Sequence, residues 1–328
     1  MPHDAVSSPG PGPCKVTAVI VTYNRLSMLK TVIGHTLAQN FSSVVVVNNA
    51  SPDGTRSWLA DQTDPRLHIL NETINLGGAG GFARGMDYAV HKTDCEWIVC
   101  FDDDAWPQAG ALSQFQSLSL SPETGGVAAA VYFPDGTVCD MNRPGLSPFR
   151  KIGNIIRLLR DRKKTFAIDP AAYEKDEMLP VDYASFVGFF VRSELVRGHL
   201  GLPQADLFVY ADDTLYTWKL RCLGWKINFA PKIRFYHDCS TTVNFENNQW
   251  KIYYIIRNRI IFYKKISGFL FIPFSLLLLL GTFKMYLRNR KMRHIHELVL
   301  AAIWDGFRQD TTRNHAEIMN IAGVKILF

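Results

Sequence analysis

The chain has 328 residues, 47% hydrophobic and 20% charged, enough to bury one large or two modest cores, which excludes a disordered protein. Its formal net charge of +6 is mild and gathers after residue 250, which argues against a dedicated nucleic-acid groove and for an anionic substrate or membrane surface. The six cysteines, Cys14, Cys95, Cys100, Cys139, Cys222 and Cys239, form no CxxC pair or zinc-ligand spacing and follow no secretory signal; reduced cytosolic thiols without a structural disulfide are expected.

Residues 1–14 are rich in Pro, Gly and Ser and lack the apolar centre of a signal peptide, which predicts a disordered tail. Residues 16–21 form a β-branched run that stops at Thr22-Tyr23-Asn24-Arg25, and Leu26, Leu29, Ile33 and Leu37 follow at helical spacing. A second strand over 44–47 ends in the polar turn 48–55, with Ser51 as an N-cap candidate and a helix over 56–61. Residues 67–70 make a short third strand. Strand alternating with helix predicts an α/β fold with a mainly parallel sheet covered on both faces, and such sheets bind ligands beyond the carboxyl ends of their strands. The stretch 75–82, NLGGAGGF, is expected as a loop opening a helix over 83–91. Its glycines would let backbone N–H groups approach phosphate or sugar oxygens; it lacks the GxGxxG order, and a flexible turn explains it equally well.

Residues 97–105, WIVCFDDDA, carry the strongest signal. An apolar strand runs into Asp102, Asp103 and Asp104, which repel one another unless solvated or neutralised by a cation. Residues two apart in an extended segment face the same way, so Asp102 and Asp104 can converge on one ion. Mg²⁺ or Mn²⁺ commonly binds through one or two carboxylates plus substrate phosphates. A solvated acidic turn is the plain alternative.

Residues 109–118 read as a helix and 127–133 as a strand. The stretch 134–180, broken by Pro134, Pro144 and Pro148 and carrying Arg157, Arg160, Arg162, Lys163 and Lys164, is expected as a mobile insertion near the site. A strand resumes over 183–192. Phe208-Val209-Tyr210 is β-prone, and Asp212 and Asp213 head a helix continued by Leu215, Trp218 and Leu220. That acidic pair either caps the helix or supplies a base for an attacking hydroxyl. A strand over 223–231 leads to His237, a candidate third metal ligand and otherwise a surface or core residue. Residues 250–265 mix aromatics with Lys and Arg, and 269–281 are apolar throughout. The segment 266–287 is about long enough to span a bilayer, but Pro273 and Lys284 argue for lying in the interface, with a core helix as the alternative. Three regions follow: a tail over 1–14, a catalytic domain over 15–249, and a helical, membrane-associating region over 250–328.

Taken in order, VTYNR (21–25), NNASPDGT (48–55), NLGGAGGFARG (75–85), FDDDA (101–105), YADD (210–213), His237 and YYIIRNR (253–259) form a specific pattern. The chain resembles family-2 inverting glycosyltransferases of the GT-A fold, and within them the bacterial galactofuranosyltransferases and rhamnosyltransferases, over residues 16–265. The resemblance implies a nucleotide-sugar donor held by Thr22, Tyr23, Arg25, Asn49 and Asp53, by Gly77, Gly78, Gly80, Gly81 and Arg84, and by Asp102 and Asp103. It also implies Mn²⁺ or Mg²⁺ on Asp102, Asp104 and His237, with Asp213 as the catalytic base. Asn48 stands where the family often has Asp, and Leu215 where an acidic residue is usual. The glycine-rich form together with DDD favours UDP-galactofuranose; dTDP-rhamnose is the rival donor, and a non-catalytic glycan-binding protein the rival class. A glycan or lipid-linked glycan acceptor, a membrane-surface partner and a peripheral place on the cytoplasmic face of the plasma membrane are expected. No nucleic-acid partner is expected, and an oligomer is compatible with the sequence.

Overall fold

The structure, a computed structural model, describes residues 13–150, 166–239 and 248–324; most of the expected tail and the basic cluster at 157–164 lie outside them. Within them Cys14 is already attached, its carbonyl accepting from Gln116 Nε2 at 2.9 Å.

The strands are β1 (Val16–Thr22), β2 (Ser43–Asn48), β3 (Leu67–Asn71), β4 (Trp97–Asp102), β5 (Ala105–Pro107), β6 (Thr124–Tyr132), β7 (Leu179–Val181), β8 (Phe189–Arg192) and β9 (Lys226–His237). They form one sheet in the order β3-β2-β1-β4-β8-β6-β9-β5, with β7 on β9. From β3 to β4 neighbours are parallel. β8 then runs antiparallel to both β4 and β6, so the sheet is parallel in its first half and mixed beyond. Every residue of β1 is buried because both faces are covered, and its sequence is therefore a continuous apolar run. The side chains still alternate: Val19 and Val21 enter one core with Val45, Val47 and Met86, while Ala18 and Ile20 enter the other with Val44, Val46 and Leu29.

Helices α1 (Leu26–Leu37), α2 (Thr55–Ala60), α3 (Gly77–Lys92) and α4 (Ala111–Gln116) follow β1, β2, β3 and β5. The glycine-rich stretch is therefore not a loop, since α3 begins at Gly77. A Cβ on Gly81 would lie 2.4 Å from Val21 Cγ1, and one on Gly85 2.3 Å from Val19 Cγ1. These two glycines, one helical turn apart, let α3 settle directly on β1. Gly81→Ala is expected to cost about 1–3 kcal/mol through overpacking, read by urea unfolding, with donor KM unchanged. A raised KM at unchanged stability would instead make Gly81 a donor contact.

Three other expectations need correction. The strand expected at 223–231 runs on to His237: Pro231, which cannot donate to the ladder, lies where the pairing with β6 jumps from Ala230 to Arg234. Residues 208–210 are no strand but a turn. The described parts of 134–180 are packed rather than mobile: Cys139, Ile168, Ala172 and Tyr173 are buried, and Gly145 bridges both Ala167 and Tyr183. Short segments punctuated by proline have no period to read.

The chain continues through α5 (Ser193–Arg197), α6 (Asp212–Cys222), α7 (Trp250–Ser267), α8 (Phe271–Asn289), α9 (Ile295–Arg308) and α10 (His315–Ile321). Trp250–Asn289 is long and apolar enough to cross a membrane by length and composition. Its first half, expected to seek the interface, turns inward: Ile252, Tyr253, Tyr254, Ile256 and Ile260 are buried against α8 and α9. The second half differs. Phe269, Ile272, Leu276, Leu280, Phe283 and Leu287 make an exposed apolar ridge, flanked by exposed Leu300 and Trp304 on α9.

Candidate active site

β4 ends on Asp102, Asp103 and Asp104 form a turn, and β5 starts at Ala105. The turn, rather than an extended run, separates the carboxylates. Asp103 faces back to β1, accepting from Thr22 Oγ1 at 2.8 Å, Tyr23 N at 3.2 Å and Arg25 Nη1 at 3.1 Å. Asp104 accepts from Arg25 Nη1 at 2.5 Å and meets His237 Nε2 at 3.1 Å. His237 is the last residue of β9, brought there by antiparallel pairing with Ala105. One ligand atom each from Asp102, Asp104 and His237 lies within 4.8 Å of the others. Two carboxylates and an imidazole converging on one point fit a divalent cation such as Mn²⁺ or Mg²⁺. The ring's other nitrogen, Nδ1, lies 2.8 Å from Asn142 Oδ1; this outer partner fixes the ring and leaves Nε2 facing the carboxylates.

The charges are interdependent. Burial, reinforced by Asp104, pushes Asp102 up to about 7. Burial also raises Asp103 against the pull of Arg25. At Asp104 burial is outweighed by His237 and Arg25, which hold the carboxylate below its usual range. Burial alone would favour a neutral His237, but Asp104 overrides it and raises the ring to about 10. Arg25 and an imidazolium thus balance the three carboxylates, and a divalent cation would take over part of that role while displacing the His237 proton.

A cavity of about 390 Å³ opens beside this cluster. Of the expected donor-binding residues, Thr22, Tyr23, Arg25, Asn49, Gly77, Gly78, Asp102 and Asp103 line it; Asp53, Gly80, Gly81 and Arg84 do not. Asp53 accepts from Thr55 N at 3.0 Å and Leu26 N at 3.3 Å, which ties the loop after β2 to the start of α1. Arg84 pairs with Glu72 at 3.0 Å. A Cβ on Gly80 would lie 2.6 Å from Leu76 Cβ, so Gly80, like Gly81, serves packing. Asn49 spends its amide on the entry to α3, donating to Gly77 O at 2.8 Å and Asn75 Oδ1 at 3.1 Å and accepting from Leu76 N at 3.0 Å. Ser51 caps no helix: its Oγ accepts from Asn24 N at 3.0 Å, and α2 starts only at Thr55. Asn75, Phe208, Trp250 and Lys251 also line it; for Trp250 and Lys251 the sequence signal was an aromatic-basic mix that also suits a membrane surface.

Residues 17–178 match the model of Glycosyl transferase family 2. The chain carries a glycosyl transferase family 2 domain. It is 28% identical over 231 residues to galactofuranosyltransferase GlfT1 of Mycolicibacterium smegmatis, covering 69% of this chain and 72% of that one. Against galactofuranosyltransferase GlfT2 of Mycobacterium tuberculosis it is 23% identical over 285 residues, 78% of this chain but only 42% of the relative's length. In fold it is similar to the mannosyltransferase PcManGT of Pyrobaculum calidifontis, solved with GDP-Man and Mn²⁺: the TM-score is 0.52 at 18% identity, over 94% of this chain and 91% of that one. The fold is GT-A, and the protein is a glycosyltransferase.

In this glycosyltransferase the second acidic point begins α6. Asp212 is buried and Asp213 partly exposed. Asp213 Oδ1 accepts from Thr214 N at 2.6 Å. Burial raises Asp213 to about 6, and it raises Asp212 well above the carboxylate range with help from the Asp213 and Asp102 charges. Neither carboxylate lines the 390 Å³ cavity; Asp212 borders a separate one of about 550 Å³ with Leu202, Trp218 and Lys265.

The turn before α6 is strained, since Phe208, Tyr210 and Ala211 have φ of 65°, 68° and 61°, values that side-chain-bearing residues rarely adopt. Helix α7 holds it. Asn258 Nδ2 donates to the carbonyls of Leu207, Val209 and Tyr210 at 2.9, 2.8 and 2.9 Å. Arg257 Nη2 donates to those of Asp206 and Leu207, each at 3.1 Å. Both side chains are fully buried. This clamp is what the YYIIRNR segment does in the glycosyltransferase, and it overrides the β-propensity of Phe208-Val209-Tyr210.

Proposed function

We propose that this glycosyltransferase moves galactofuranose from UDP-galactofuranose to a hydroxyl of a growing cell-surface glycan, with inversion at the anomeric carbon. The observation that carries the reading is the convergence of Asp102, Asp104 and His237 beside a polar cavity built by the ends of β1, β2 and β4. The names of GlfT1 and GlfT2 support the choice of sugar. Asp102, Asp104 and His237 would hold Mn²⁺ or Mg²⁺, which when bound neutralises charge on a departing diphosphate. Thr22, Tyr23, Gly77 and Gly78 would face the nucleotide, with Asp103 bracing Thr22, Tyr23 and Arg25. Asp213 would take the proton of the acceptor hydroxyl as its oxygen bonds to the anomeric carbon; the bond from that carbon to the diphosphate breaks, and its electron pair leaves with UDP. With one base and no covalent sugar intermediate, configuration inverts.

Released nucleotide measured by mass spectrometry across a donor panel tests this. UDP release from UDP-galactofuranose, dependent on Mn²⁺, is the expected result. Turnover of dTDP-rhamnose alone would make the chain a rhamnosyltransferase, and no turnover with any donor would remove the enzymatic reading.

The same proposal places the enzyme peripherally on the cytoplasmic membrane face, where a lipid-linked acceptor would wait. The apolar ridge on α8 and the exposed Lys284, Arg288, Arg290, Lys291 and Arg293 support it, because apolar insertion and attraction to anionic lipid add. The full chain should sediment with anionic vesicles, and Ile272→Glu combined with Leu276→Glu should abolish this at an unchanged melting temperature. Undiminished sedimentation of the double variant would refute the membrane assignment.

A further inference from the structure

His237 has a second set of neighbours that sugar transfer does not use. Cys139, His237 and Cys239 each offer a ligand atom within 4.8 Å of the other two. The two nitrogens of the ring have different partners. Nε2 meets Asp104 at 3.1 Å. Nδ1 lies 2.8 Å from Asn142 Oδ1, the same oxygen that Cys139 Sγ reaches at 3.0 Å. Cys239 Sγ lies 3.2 Å from the thioether sulfur of Met141, so the surroundings on this side are sulfur-rich. Both thiols are free. Cys139 is buried, whereas Cys239 and Met141 reach the surface, which gives an ion a path in. No spacing in the sequence announces the group, because the two cysteines lie on either side of β7, β8 and β9 and meet only through the fold.

The chemistry of this set is unlike that of its neighbour. Asp102 and Asp104 offer hard oxygen atoms suited to Mg²⁺ or Mn²⁺, while two thiolates and an imidazole suit Zn²⁺ and related ions. Zinc bonds of about 2.3 Å to sulfur and about 2.0 Å to nitrogen ask these side chains for inward shifts on the order of 1 Å. We propose that Cys139, Cys239 and His237 Nδ1 form a site for a thiophilic divalent cation of the Zn²⁺ class, and that filling it inhibits transfer. On binding, both thiols lose their protons to solvent and Nδ1 gives up its hydrogen bond to Asn142. The ring then turns from the orientation that aims Nε2 at the carboxylates. The inhibitory half rests on the reading of His237 as a ligand of the catalytic cation, whereas the binding half stands on the cysteines alone.

Cd²⁺ titration of the full-length protein tests binding directly. One equivalent should bring up an ultraviolet thiolate-to-cadmium charge-transfer band, and Cys139→Ser and Cys239→Ser should each remove it. Cys239 is partly exposed, and an unchanged melting temperature certifies that its variant is folded. In transfer assays at saturating Mn²⁺, Zn²⁺ should lower the wild-type rate roughly 10–100-fold, the usual cost of disturbing what orients a metal ligand, and leave Cys239→Ser nearly unaffected. No band with wild-type protein, or a band that survives in both variants, would overturn the site. A normal band with full activity in Zn²⁺ would overturn the inhibition. Should no donor be turned over at all, the Cd²⁺ titration still decides the site by itself.

Discussion

Asp213→Asn should lower kcat by roughly 10²–10⁴-fold, the usual worth of a general base, with donor affinity near wild type. Asparagine keeps the shape and can still accept the 2.6 Å bond from Thr214 N, but it cannot take a proton. Burial sets the Asp213 carboxyl at about 6. The base form is therefore lost as pH falls through that value, so the wild-type rate should climb from pH 5 to 7 and then level, and the variant should lose this limb. Asp212 is the contrast. Burial raises its carboxyl well above the usual range, and it lines no part of the 390 Å³ cavity, so Asp212→Asn should chiefly cost stability, on the order of 1 kcal/mol if the residue only supports the start of α6. Turnover and donor binding of both variants, the latter by calorimetry, separate the roles. Normal turnover in Asp213→Asn with loss in Asp212→Asn would reverse the assignment, and loss of donor binding in Asp213→Asn would make that residue a donor ligand.

Chelation of divalent cations should abolish transfer, and Asp104→Ala should do so with the sheet intact. Lewis-acid stabilisation of a leaving group is worth several kcal/mol, which corresponds to about a thousandfold in rate. Asp104 is the carboxylate that Arg25 and His237 share, so its loss removes the joint between them as well as a ligand. The proton balance predicts a direction too. His237 is raised to about 10 and Asp102 to about 7, so an incoming cation competes with protons at neutral pH. Mn²⁺ affinity should rise with pH between 6 and 8, by about tenfold per unit for each proton displaced. Full activity in excess chelator would refute the assignment, and a pH-independent Mn²⁺ affinity would remove His237 from the ligand set.

The parts of this site that were legible in the sequence are those whose signal is local. An apolar run ending in Asp102, Asp103 and Asp104 announces both a strand and a charge problem within nine residues. His237 was a candidate ligand from the residues, with a surface or core role open beside it, and only the resemblance favoured the ligand, because its approach to Asp104 depends on β5 pairing with β9. The glycines at 77–81 were read as ligand contacts because glycine reports freedom of approach without saying what approaches; at Gly81 it is Val21. Asn142 went unread, and Arg257 and Asn258 were read only as part of the YYIIRNR pattern with no role, for a related reason. Their partners are an imidazole and a row of backbone carbonyls far away in the chain, and nothing in composition or period points to a carbonyl. Residues 250–265 misled in the opposite sense, since a helix with aromatic and basic side chains looks alike whether its apolar side meets lipid or the protein's own core.

The clamp from α7 has a consequence for the order in which the molecule is made. A ribosome releases Asp102, Asp104, His237 and both carboxylates of α6 before Arg257 and Asn258 have been translated. Until those two arrive, the left-handed turn lacks the bonds that Arg257 and Asn258 make to the carbonyls of residues 206, 207, 209 and 210, and the head of α6 is held less firmly. Domains form as units while synthesis proceeds, so a nascent chain can complete its parallel half-sheet and still be catalytically silent. A polypeptide released prematurely before Asn258 would display the aspartates without the α7 clamp, and on the proposed function it should not spend nucleotide sugar while incomplete.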